Sequence, residues 1–175
     1  MRELSFPHLE AVDVLRDQVG EFEAAVSTLD EMQLLAPSLC HGWSVLDLVV
    51  HVRMGLQELA IGTTSRTEEA TDHDAASYWG THPDGRDDDP VPHILWLRRV
   101  ASAYRRPSGA VVHLKDAAAS AVTAVRSMPQ GVVEFQGKRA CTAATSWRPG
   151  WSSWPFISSI WVTMHRDHAV SHGPG

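Results

Sequence analysis

An all-α bundle is the fold class this sequence predicts, and three observations carry it. Apolar residues recur at steps of three and four along several stretches, the spacing of helices that bury one face. Of the 175 residues, 43% are hydrophobic, enough for one sizeable core. There is no phosphate loop, no Rossmann glycine pattern and no Gly-x-Ser-x-Gly elbow to suggest an α/β fold.

The first stripe runs from Pro7 to Leu29 through Leu9, Val12, Leu15, Val19, Phe22 and Val26, with Ser5 and Pro7 placed for a helix start. The second helix starts at Ser44. Ser44-Val45-Leu46-Asp47 resembles a capping box with Asp in the third position, and Val45, Leu48, Val49, Val52, Leu56 and Leu59 form the apolar face. Residues 62–90 read as a long acidic connection with eight acids and two arginines, which accounts for the whole net charge of −6. Mutual repulsion is expected to leave it loosely ordered. A third helix is predicted over 92–104, with a break at Pro107-Ser108-Gly109. A fourth helical stretch covers 111–126, and Val132, Val133 and Phe135 then read as a short strand.

The acidic balance argues against nucleic acid as a partner. No apolar run reaches the roughly 18 residues that cross a bilayer, and the acids from Glu3 onward leave no signal core. No membrane association and a cytoplasmic location are therefore expected. Two cysteines, Cys40 and Cys141, are too few for a disulfide scaffold. Cys40 beside His41 makes a poor nucleophile pair, because chain neighbours rarely face each other productively.

The chemically informative stretch is 37–52, where a turn, an aromatic and a helix cap lead to His51 two turns into an amphipathic helix. His51 shares a face with Asp47, Leu48, Gly55 and Glu58. A histidine on the inner face of a bundle helix is either a metal ligand or a hydrogen-bonded core residue. The run Cys40, Gly42, Trp43, Ser44, Val45, Asp47, Leu48, Val49, His51, Val52 resembles the N-terminal domain of mycothiol-dependent maleylpyruvate isomerases, in the DinB-like metal-binding superfamily. The resemblance covers about 8–136.

It implies a DinB-like four-helix bundle, with His51 at the first metal-ligand position and zinc or another divalent metal as cofactor. It also implies mycothiol, or a similar low-molecular-weight thiol, attacking a small electrophile as thiolate. The partners would then be that small-molecule substrate and the thiol, with a homodimer left open. Helix four of the family supplies the remaining ligands, and its pattern is missing here.

After Phe135 the composition changes. Residues 135–175 hold one acid, Asp167, and four of the seven tryptophans, and Pro149 and Pro155 interrupt any helix. Segment 137–175 therefore stands as an irregular, Trp-rich stretch in place of a clean fourth helix. One account is a one-base shift of reading frame in the gene; the other is a natural segment packed on the bundle. His165 and His168, an H-x-x-H pair, are the substitute ligands it offers; an exposed tail pair is the plainer reading. His73 and His82 are at most adventitious metal sites. Two functions compete: a metal-dependent, thiol-using isomerase or S-transferase, impaired in this chain, and a non-enzymatic bundle that has lost its metal site and serves as an interaction module.

Overall fold

The computed structural model describes residues 8–70, 72, 91–128, 131–135 and 138–141. Within them lie five helices: α1 (His8–Ser27), α2 (Glu31–Leu35), α3 (Val45–Gly62), α4 (Val91–Ser102) and α5 (Ser108–Ser127). Three short strands, β1 (Arg66–Thr67), β2 (Val132–Phe135) and β3 (Lys138–Cys141), complete the described elements.

Helix α5 is the centre of the packing and lies against both α1 and α3. Four of its seven buried positions are small, Ala110, Ala117, Ala118 and Ala121, beside Val111, Leu114 and Val125. Small side chains let neighbouring helices approach closely. The larger side chains opposite them fill the core, with Val12, Val19, Phe22 and Val26 from α1 and Val49, Val50, Val52 and Leu56 from α3. Leu9, predicted as part of the α1 stripe, is exposed. Helix α3 is buried on most of its circumference, since α2, α4, α5 and β2 all meet it. Among the described residues no helix is long and apolar enough to cross a membrane.

Two helices depart from the sequence reading. Helix α2 fills what reads as a connection. Asp30 caps it by accepting from the Gln33 N–H at 2.8 Å, and Gln33 returns the bond to the Asp30 N–H at 2.9 Å. Leu34 anchors it, fully buried. Helix α5 begins at Ser108, inside the predicted Pro107–Gly109 break. Pro107 has no capping side chain, and the Glu31 carboxylate of α2 takes over by accepting from the Ser108 N–H at 3.0 Å and the Ser108 hydroxyl at 2.7 Å. A carboxylate there satisfies an orphan donor and complements the helix dipole.

The three strands form an antiparallel sheet in the order β1-β2-β3. Val133 pairs with Arg66 on one side and Ala140 on the other, and the Glu134 N–H extends the first pairing to the Ser65 carbonyl at 2.8 Å. Val133 is buried where β2 meets α3. The predicted strand is therefore present, with two partners. The start of the acidic connection supplies one of them; its residues 71 and 73–90 lie outside the described residues.

Candidate functional site: two imidazoles between two tryptophans

The connection from α2 into α3 is closed by its own backbone. The Ser38 N–H donates to the Trp43 carbonyl at 2.8 Å, the Trp43 N–H to the Cys40 carbonyl at 2.9 Å, and the Val45 N–H to the Ala36 carbonyl at 3.0 Å. Gly42 makes the reversal with φ +82°, a conformation that L side chains rarely adopt. The Gly42 carbonyl accepts from the Arg98 guanidinium of α4 at 2.7 Å, which ties α4 to this turn.

Trp43, 7% exposed, is held at the start of α3. Ser44 caps the helix with the predicted box. Its hydroxyl accepts from the Asp47 N–H at 3.0 Å, and the Asp47 carboxylate accepts from the Ser44 N–H and hydroxyl, each at 2.8 Å. Asp47 is 5% exposed and Ser44 is half-buried, so the box is partly shielded from water.

His51 lies one turn beyond Asp47 and is half-buried. Its ring meets Trp43 edge-on, with centroids 5.1 Å apart and planes at 74°. His93 of α4 faces it at 5.8 Å, with planes at 89°. His93 also lies 5.9 Å from Trp43 and 5.7 Å from Trp96. Four rings thus form one cluster across the α3–α4 contact, with His93 on the exposed side.

The sequence reading picked out His51 and overlooked His93. The signal was present in α4: His93, Leu97 and Ala101 are spaced by four, and Leu97 and Ala101 are both buried. That spacing puts His93 at the end of the inward row. His165 and His168 lie outside the described residues, as do His73 and His82. Cys40 is half-buried and His41 exposed. Glu134 stands on β2 opposite Arg139. Among the described residues no three His, Cys, Asp or Glu side chains gather into a metal-binding group.

Comparison with known proteins agrees with this architecture. Among solved structures, a crystal structure of a mycothiol-dependent maleylpyruvate isomerase superposes with a TM-score of 0.53 at 15% identity. A histidine-to-alanine mutant of such an isomerase gives 0.56 at 16%. Each match covers 91% of this chain and 60% of the other, so the chain spans about three-fifths of their length. At such identities the likeness is one of fold. No curated protein sequence matches. The family model of the mycothiol maleylpyruvate isomerase N-terminal domain matches residues 15–153, running past Phe135 into the segment where the composition changes. With most of its length matched, the chain belongs to the mycothiol maleylpyruvate isomerase N-terminal domain family.

Proposed function

We propose that this chain is a thiol-using, zinc-dependent protein of the isomerase or S-transferase type, acting on a small electrophile with mycothiol or a similar thiol. The observation that carries the proposal is the placement of His51: half-buried on α3, edge-on to Trp43 and facing α4. An imidazole is a donor that suits zinc, and a half-buried one leaves room for exchangeable ligands.

The chain's own residues would divide the work as follows. His51 would hold the metal through one ring nitrogen. Trp43, packed edge-on, restricts the rotation of that ring. The Ser44–Asp47 box fixes the first turn of α3, and with it the height of His51 above the Trp43 turn. Trp43, buried, supplies an apolar wall on one side of His51. Bound zinc would lower the pKa of a coordinated thiol so that it meets the electrophile as thiolate. His165 and His168 are the further ligands proposed from the sequence.

Elemental analysis after gel filtration tests the reading. The full chain should retain close to one zinc, and His51→Ala should lose it while keeping the helical circular dichroism. A wild-type chain free of zinc, or zinc retained in His51→Ala, contradicts the proposal. A zinc-free wild type would favour the non-enzymatic bundle.

A further inference from the structure

We propose that His93 of α4 is a second ligand, completing with His51 a two-imidazole site for a divalent metal across the α3–α4 contact. The inference rests on the metal reading of His51 and adds to it a residue from a different helix.

The geometry points to it. Two imidazoles bound tetrahedrally to one zinc at nitrogen–metal distances of about 2.0–2.1 Å have ring centroids about 5 Å apart. The His51 and His93 centroids are 5.8 Å apart with no metal bound. Closing the gap takes less than about 1 Å, within the reach of a small side-chain rotation. The two rings meet edge to face, with planes at 89°, so a rotation about one side-chain bond is needed to turn a nitrogen of each toward a shared ion.

The backbone holds the pair in place. Leu97 and Ala101 continue the row of His93 into the core and seat α4 on the bundle. Arg98 ties α4 to the Gly42 carbonyl, beside the turn that carries Trp43. Trp43 lies within 6 Å of both histidine rings, and Trp96 flanks His93. His93 is exposed, so a metal held there would be open to a thiol arriving from solvent.

Cobalt(II) titration of the full chain, followed by its visible ligand-field bands, tests the inference without an activity assay. Wild-type protein should bind about one cobalt ion per chain. His93→Phe keeps a ring between Trp43 and Trp96 but removes the donor. It should weaken cobalt binding by at least about tenfold, the smaller end of what even outer-shell changes cause. His93→Cys, which restores a ligand, should bind cobalt and add a sulfur-to-metal charge-transfer band. His113→Ala removes a histidine bonded instead to Tyr104 and should change nothing.

If His51→Ala abolishes binding and His93→Phe leaves it unchanged, the inference about His93 is wrong while the reading of His51 stands. If wild-type protein binds no cobalt, both fall. Unchanged helical circular dichroism in His93→Phe separates a lost ligand from a lost fold.

Discussion

Replacing Asp47 with Ala tests how α3 is held in the register that delivers His51. The Asp47 carboxylate accepts two hydrogen bonds from Ser44, both at 2.8 Å, in a site where Asp47 is only 5% exposed. Both bonds fall on the same carboxylate oxygen, so together they count as one contact to a charged group, about 1.5–3 kcal/mol. An acid in the first turn adds about 0.3–1 kcal/mol through the helix dipole. Alanine returns up to about 0.7 kcal/mol of helix propensity. The net cost is about 2 kcal/mol. Ser44→Ala, which removes only the cap acceptor for the Asp47 N–H and one hydroxyl donor, should cost about 1 kcal/mol.

Both substitutions break the same reciprocal box, so the double variant should cost at least about 0.5 kcal/mol less than the sum. Urea unfolding followed by far-ultraviolet circular dichroism reads this directly. With a slope of about 2 kcal/mol per molar, Asp47→Ala shifts the midpoint by about 1 M. A shift below about 0.3 M, or strictly additive single variants, would refute the claim that this box anchors α3.

Other outcomes follow from the same contacts. Gly42→Ala should destabilise the fold by about 1–2 kcal/mol through its φ of +82° alone, because the added Cβ meets only Ile94 Cδ1 at an ordinary 3.5 Å; denaturant midpoints check it. Leu97→Ala removes a side chain that is 1% exposed and should cost about 2–5 kcal/mol, with α4 losing amide-exchange protection before α5. The Ser108 hydrogen bonds, first among the causes, hold the Glu31 carboxyl below its ordinary value of 4.5. A depressed carboxyl pKa stabilises the fold above the unfolded value, and that contribution fades as pH falls below 4.5 toward the folded value. Glu31→Gln should therefore flatten the pH dependence of stability in that acid window, and an unchanged profile would count against the cap.

Long-period features were legible in the sequence, and cross-chain ones were not. The start of α3 follows from the Ser44–Asp47 box, because that signal is local, whereas the start expected for α1 at Ser5 and Pro7 lies outside the described residues. Helix α2 escaped because five residues are too few for a 3.6-residue period to show. Its own signals were present: Asp30 and Gln33 three apart, then Leu34. The sheet escaped because β1 has two residues and pairs with a partner as distant in sequence as Arg66 is from Val133. Alternation cannot appear in two residues, and pairing across such a span leaves no local mark. His51 could be singled out because its own helix shows the face it shares with Leu48. His93 shows its place in the sequence only through the row it shares with Leu97 and Ala101; what makes it interesting, the ring of a different helix 5.8 Å away, leaves no local mark.

The most direct test of the account is the proton balance of thiol binding. Mycothiol titrated into zinc-loaded protein near neutral pH should release about one proton per chain as the thiol binds as thiolate, measured by calorimetry in buffers of different ionisation enthalpy, and His51→Ala should abolish the release. Thiol binding with no proton release, or release that survives His51→Ala, would contradict a metal-activated thiol at this site.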